Sequence, residues 1–331
     1  MSERLWKDER IMSVILITGG MGFIGSHLAR ELLRRGYDVV LLDVMVNETL
    51  IRDVKERVKI VRRDVTTPTQ LVETVKKHSV DAMFHCAALL SSAAEANPQL
   101  AYEVNFEGLW NVFEVARVMD LDAVIFASSV AAYGSDTPQT VREDVYTIPQ
   151  TLYGISKQFG EMLGLWFHRR YGIDFAAFRY GSVIGPGRRD GGASAYSTLI
   201  IQKPAQEEPY VVNVPEDSRI PILYVKDAVD ATLTAYEKIK GLKSRIYNLA
   251  SLTPSPRAKD LVDAVKKRIP NAEVTFKPDA RVTEIVRSWP RDFDVTRAQS
   301  ELNWGPKYSS LDSLVSDFIN EVRQHQGMYK I

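Results

Sequence analysis

The sequence predicts a doubly wound α/β fold, a parallel sheet covered by helices on both faces with a smaller C-terminal lobe beside it. Three observations predict it. Short apolar, β-rich runs recur along the chain, stretches of helical length and periodicity separate them, and several runs are apolar throughout rather than alternating. Strand–helix alternation is the pattern of a sheet built from βαβ units. A strand with no polar face is buried on both sides.

The first strand is expected at 14–18 (VILIT), and the others follow at 38–43, 58–62, 81–86, 123–128 and 174–179. Helices at 23–35, 68–78, 98–119 and 152–171 close the crossovers between them. After Arg179 the pattern changes: 181–192 is rich in Gly, Pro and Arg and reads as largely loop. A helix at 225–240 and a strand at 245–250 return to the main sheet, and 251–324 carries two more helical patterns around a linker containing Pro and Trp. The expected division is a dinucleotide-binding domain over 13–180, rejoined by 222–250, and a substrate-binding lobe from 181–221 and 251–324. The fold signal begins near Met12, so residues 1–11 are assigned no function.

Of 331 residues 45% are hydrophobic, an ordinary globular balance. Basic and acidic residues both number 42, so net charge is zero and no basic stripe suggests nucleic acid; a small-molecule partner is expected. The single cysteine, Cys86, excludes an internal disulfide, and the opening MSERLWKDER is too charged for a secretory segment. No apolar run is long enough to span a bilayer, and a cytoplasmic location is expected. The five histidines lack ligand spacing, so no metal is expected.

Chemistry first shows in VILITGGMGFIGSHLARELL, which sets Gly19, Gly20, Gly22 and Gly25 between the first strand and first helix. Strand, glycines and helix in that order make a tight turn, a close approach of backbone to a pyrophosphate, and a helix N-terminus, opened by Phe23 and Ile24, to receive its charge. Asp43 ends the second strand, placed to accept from an adenosine ribose; a 2′-phosphate there would meet like charge, and Val44-Met45-Val46 offers no cation to offset it. NAD is the expected cofactor. Asp64, followed by Val65, ends the third strand and could bond the adenine edge or be a solvated loop carboxylate.

Tyr153 and Lys157 stand four residues apart near the start of a helix, hence on one face. A nearby ammonium favours the phenolate, so a lowered Tyr153 pKa is expected. Ser128-Ser129 end the fifth strand at the carboxyl edge of the sheet, where ligands bind. A hydroxyl there can donate to a substrate oxygen and accept from the tyrosine. His85 and Cys86, at a strand end, read as packing residues, and Trp289, beside a proline in the lobe linker, is placed to cover a pocket.

Together these residues resemble the extended short-chain dehydrogenase/reductases, a family with a Rossmann fold. The resemblance covers nearly the whole chain after Met12, through TGGMGFIG, Asp43, Asp64-Val65, FHCAA, Asn105, the serine pair, YGISK and FRYGSVIGPG. It implies a catalytic set of Ser129, Tyr153 and Lys157, cofactor contacts at Ala87, Ala88 and Asn105, and a nicotinamide-side role for Tyr180. It also implies a homodimer through the helices around 105–119 and 152–171, for which Leu109, Val112, Phe113 and Ala116 are the candidate apolar seam; the alternative is that these four face the sheet.

Two chemistries compete within the family: oxidation of the β-hydroxyl of L-threonine or a related small 3-hydroxy compound, and epimerisation or dehydration of nucleotide sugars; another small alcohol is the remaining alternative. DAMFHCAALLSSAAEANPQLAYEVN, with Ser91, resembles the threonine branch, as do Pro221-Ile-Leu-Tyr224-Val-Lys-Asp227 and the Ser288-Trp289-Pro290 triplet. That resemblance implies substrate contacts at Ser91, Ser129, Ser182, Ser194 and Trp289. Arg188 and Arg189 are candidates for the carboxylate. The chain departs from that branch at Gly181, where a proline is typical, and at Gly192-Ala193-Ser194-Ala195-Tyr196, where Gly-Thr-Thr-Asp-Tyr is typical. The Gly185-Pro186-Gly187-Arg188 turn is closer to the sugar enzymes, though these more often have asparagine at Ser182. A nucleotide-sensing regulator without chemistry would have lost the tyrosine–lysine pair, which is intact.

Overall fold

VILIT forms strand β1 (Val14–Thr18), buried along its whole length. The computed structural model describes residues 13–189 and 192–329; the reading of residues 1–11 lies outside these. Strands β2 (Asp38–Asp43), β3 (Lys59–Arg62), β4 (Ala82–His85), β5 (Ala123–Ser129), β6 (Asp174–Tyr180) and β7 (Ile246–Leu249) join it in one sheet, ordered β7-β6-β5-β4-β1-β2-β3. Every pairing is parallel. Alternate residues of β1 serve opposite faces: Leu16 packs with Met83, Phe113 and Phe167, Ile15 and Ile17 with Leu41 and Phe84. That double burial is why the run carries no polar face.

Helices α1 (Phe23–Arg34), α2 (Pro68–His78), α3 (Gly108–Val118) and α4 (Leu152–Tyr171) make the crossovers. Thr151 caps α4, its hydroxyl accepting from Gly154 N at 3.1 Å, and Gly172 ends it at φ +74°. On α4, Cβ atoms at Gly160 and Gly164 would fall 2.5 and 2.3 Å from the rings of Phe126 and Phe175, so the helix lies close on the sheet.

Four expectations are corrected. The helix read at 98–119 is Pro98–Tyr102, a π turn at Glu103–Glu107, and α3. The 181–192 segment is not all loop: Ser182–Ile184 is a strand paired with Ile222–Tyr224. The stretch 251–324 holds four helices rather than two, at Ala258–Arg268, Ala280–Arg287, Thr296–Leu302 and Leu311–Gln324. Finally, Leu109, Val112, Phe113 and Ala116 are buried against the sheet, so they form no external seam.

Helix α5 (Tyr196–Ala205) and α6 (Val225–Glu237) precede β7. Two short parallel pairs, Tyr210–Val212 with Val274–Phe276 and Thr140–Val141 with Asp292–Phe293, draw the last part of the chain onto earlier segments. One buried cluster runs from Ile15 and Phe84 under the sheet to Phe318 near the C-terminus.

Candidate active site

The chain runs out along β1, β2 and β3 and then crosses back to β4, so the crevice above β1 and β4 is the switch point of the sheet, where such folds bind ligands. Gly19 leaves β1 at φ +65°, and a Cβ there would lie 2.8 Å from Ala87 N, so only glycine fits. A Cβ on Gly25 would stand 2.5 Å from the Gly19 carbonyl. Gly22 caps α1, whose first ladder bond is Ser26 N to Gly22 O at 3.0 Å. The N–H groups of Phe23, Ile24 and Gly25 therefore form its open, electropositive end.

A cleft of about 680 Å³ opens there. It is lined at one end by Gly19, Gly22, Phe23, Ile24, Gly25, Asp43, Asp64 and Val65, then by Ala87, Ala88, Ser129, Tyr153, Lys157 and Tyr180, and at the other by Ser91, Ser182, Ser194 and Trp289. Asn105 does not line it. Buried on the π turn, its Oδ1 accepts from Leu89 N at 2.8 Å and its Nδ2 donates to Leu89 O at 2.9 Å. It stands one layer behind, fixing the segment that carries Ala87 and Ala88.

The glycine turn and open helix end fit a dinucleotide pyrophosphate, and the half-buried Asp43, accepting from Met21 N and Met45 N at 3.3 Å each, fits a ribose diol. The register pairs Asp43 with Arg62, which donates to the Val44 carbonyl at 3.2 Å, and Arg63 lines the cleft beside Asp64. Reading along 44–46 missed these cations because they arrive from the neighbouring strand.

Tyr153 and Lys157 face the cleft from the first turns of α4. Lys157 Nζ donates to the Ala127 carbonyl at 2.7 Å and stands 5.2 Å from the Tyr153 ring centroid. Burial lowers the ammonium pKa to about 8. Burial raises that of Tyr153, against the pull of a Ser129 hydrogen bond and the Arg188 charge. In the protein alone the direction is opposite to the expected lowering, because desolvation outweighs the Ser129 hydrogen bond and the Arg188 charge.

His85, its Nδ1 bonded to Thr18 Oγ1 at 2.7 Å, is held neutral by burial, which lowers its pKa to about 3. Burial also pushes the Cys86 thiol up to about 12. Both are packing groups by these surroundings. Among the described residues, no cluster of His, Cys, Asp or Glu could hold a metal ion.

At the far end, the segment between Ser182 and Ser197 gathers hydroxyls. Ser182 Oγ and Ser197 Oγ lie 2.9 Å apart, and Ser91 Oγ accepts from Ala193 N at 3.5 Å. Arg188 donates to Ser182 Oγ at 3.0 Å and to Ser194 Oγ at 2.8 Å. The site can therefore hold a dinucleotide and present a small hydroxylated compound to Tyr153 and Ser129.

Comparison with known proteins agrees with this geometry. The model of the NAD dependent epimerase/dehydratase family matches residues 15–250. The mitochondrial L-threonine 3-dehydrogenase of Bos taurus is 32% identical over 92% of this chain and 82% of its own. A GalE-like L-threonine dehydrogenase from Cupriavidus necator, in its holo form, superimposes with a TM-score of 0.86 at 31% identity, over 93% of this chain and 99% of that one. L-threonine dehydrogenase from Phytophthora infestans gives 0.86 at 30% identity, over 94% and 99%.

Proposed function

Since the chain belongs to the NAD dependent epimerase/dehydratase family, we propose that it oxidises the β-hydroxyl of L-threonine to 2-amino-3-oxobutanoate. The observation that carries this reading is the serine-lined pocket facing Tyr153 in a chain like L-threonine dehydrogenases over nearly its full length.

NAD, when bound, supplies the hydride acceptor. Tyr153, aligned by Ser129, takes the hydroxyl proton as the carbonyl forms, while the carbon-bound hydrogen leaves as hydride. Lys157 supports the phenolate by its charge, fixed by the Ala127 carbonyl. Ser91, Ser182, Ser194 and Trp289 surround the rest of the substrate.

A nucleotide sugar would bring a second diphosphate into a cleft that already houses a dinucleotide, and diphosphates need cations. Between Ala193 and Ile220 the basic residues are Lys203 and Arg219, and of the two arginines just before them that line the cleft, Arg188 is held on Ser182, Val183 and Ser194. Lys203 is ion-paired with Glu208 at 2.7 Å, and Arg219 donates to the Ser255 carbonyl.

With L-threonine and NAD the protein is expected to generate NADH, read at its absorbance band, and UDP-glucose is expected to give no epimer. NADP should bind at least tenfold more weakly than NAD, about 1.4 kcal/mol, because its phosphate meets Asp43. Epimer formation without NADH would overturn the reading; equal binding of the two cofactors would show that Asp43 does not reach the ribose or that Arg62 and Arg63 offset its charge.

The NAD-binding part is proposed as 13–180 with 222–250, and the substrate lobe as 181–221 with 251–324, in keeping with β7 lying beside β6. No helix among the described residues is long and apolar enough to cross a membrane. The cytoplasm suits a chain with one, unpaired, cysteine.

A homodimer is supported by exposed large apolar side chains on α3, α4 and the turns before them: Tyr102, Trp110, Met162, Trp166 and Tyr171 are each more than 40% exposed. Light scattering should give the mass of a pair, and Trp110→Asp with Trp166→Asp the mass of one chain. A native monomer would remove the dimer.

A further inference from the structure

Four cations line the cleft among the described residues: Arg63, Lys157, Arg188 and Arg189. Arg63 stands beside Asp64 at the adenosine end, Lys157 is buried on the Ala127 carbonyl, and Arg189 is exposed. Arg188 is half-buried and, among the described residues, held on three acceptors. Its Nη1 donates to Ser182 Oγ at 3.0 Å and the Val183 carbonyl at 2.8 Å, and its Nη2 to Ser194 Oγ at 2.8 Å. Its charge also reaches Tyr153, where it favours the phenolate. A planar guanidinium oriented in advance, near the proton acceptor, matches a carboxylate's paired oxygens.

The turn carrying it is braced from three distant segments. Gly187, at φ +89°, donates its N–H to Gln202 Oε1 at 3.2 Å. Fully buried Gln202 in turn donates to the Tyr329 carbonyl at 2.9 Å, which also accepts from Gln206 at 2.7 Å. The Tyr329 ring lies 3.0 Å from where a Gly187 Cβ would stand, and from α1 the His27 ring lies 3.4 Å from the Pro186 carbonyl. A loop fixed this firmly places what it carries.

We propose that Arg188 binds the substrate's carboxylate and so determines specificity, and that Gln202 and Tyr329 are positioning residues that hold its turn. This rests on the site being a dehydrogenase of small β-hydroxy compounds and names the group by which it selects them.

The test compares L-threonine with 1-aminopropan-2-ol, the same alcohol without its carboxylate, in wild type, Arg188→Met, Arg188→Gln and Gln202→Leu. Calorimetry measures acetoacetate binding to each NAD-loaded protein, which has no hydride to give it. Both Arg188 variants should raise KM for threonine about 30-fold or more beyond any change on 1-aminopropan-2-ol, which reads the loss of charge near Tyr153 common to both alcohols, and weaken acetoacetate to a similar degree. Gln202→Leu should do the same to a smaller extent, about fivefold, with NAD affinity kept. Arg188→Gln, which retains hydrogen bonding, decides the matter if Arg188→Met does not fold.

An equal KM rise on both alcohols, or unchanged acetoacetate binding in Arg188→Gln, overturns the proposal. Arg188-dependent acetoacetate binding without threonine turnover leaves the anion site standing and removes the threonine reading. Threonine turnover indifferent to Arg188 removes the anion site alone. Neither turnover nor binding removes both.

Discussion

Tyr153→Phe is expected to lower kcat by about 100-fold or more with NAD affinity little changed, because the ring remains and only the proton acceptor is lost. The pH profile separates this from a packing effect. Tyr153 must shed its proton to act as a base, so kcat/KM rises with pH, and burial, which raises the phenol's pKa, moves that rise to the alkaline side. Lys157, weakened to about 8, loses its charge above that pH and with it the support for the phenolate. Tyr153→Phe should flatten the rising limb, whereas Lys157→Met should push it further alkaline, since removing a cation destabilises a phenolate. Turnover within tenfold of wild type in Tyr153→Phe would show that another group takes the proton.

Glu161→Ala should be the most destabilising single change near the site, by about 3–5 kcal/mol. Glu161 lies one turn beyond Lys157, is completely buried, and receives Arg179 through a two-pronged pair, Nε to Oε1 at 2.8 Å and Nη2 to Oε2 at 2.6 Å. It also accepts from the Ser128 hydroxyl at 2.6 Å, so it ties α4 to both β5 and β6. Removing it strands the Arg179 guanidinium, only 3% exposed, without its counter-charge. Glu161→Leu combined with Arg179→Met takes out both charges and should recover most of the loss. Denaturant midpoints at constant m-value measure this. A single variant within about 1 kcal/mol of wild type would mean that the pair holds nothing together.

What the sequence made legible follows from which residues act through local pattern. VILIT and AVIFA are readable as strands because both their faces are buried, and α4 because its cap and closing glycine flank a long run. Tyr153, Lys157 and the glycines are readable because their spacing is itself the geometry they need. Helix α5 was hidden: it is buried on nearly every side and contains Pro204, so it shows neither a polar stripe nor a clean interior. Ser182–Ile184 was hidden by its glycine- and proline-rich surroundings, its pairing partner lying at Ile222–Tyr224. The π turn that presents Asn105 has no sequence signature separate from a helix. The approach of the Tyr329 ring to Gly187 joins residues far apart in the chain, a contact no local pattern announces.

The placement of β7 has a consequence for how the chain is made. β6, buried throughout except at its first residue, has β7 as its outer neighbour, and β7 emerges only after residues 181–245 have been synthesised. At roughly 5–20 residues per second, β6 waits several seconds on the ribosome as an apolar template with an open row of backbone donors and acceptors. During that interval a second nascent chain could add to it edge to edge. The same insertion between β6 and β7 that supplies Ser182, Arg188 and Ser194 to the cleft thus sets a period of exposure to co-translational aggregation.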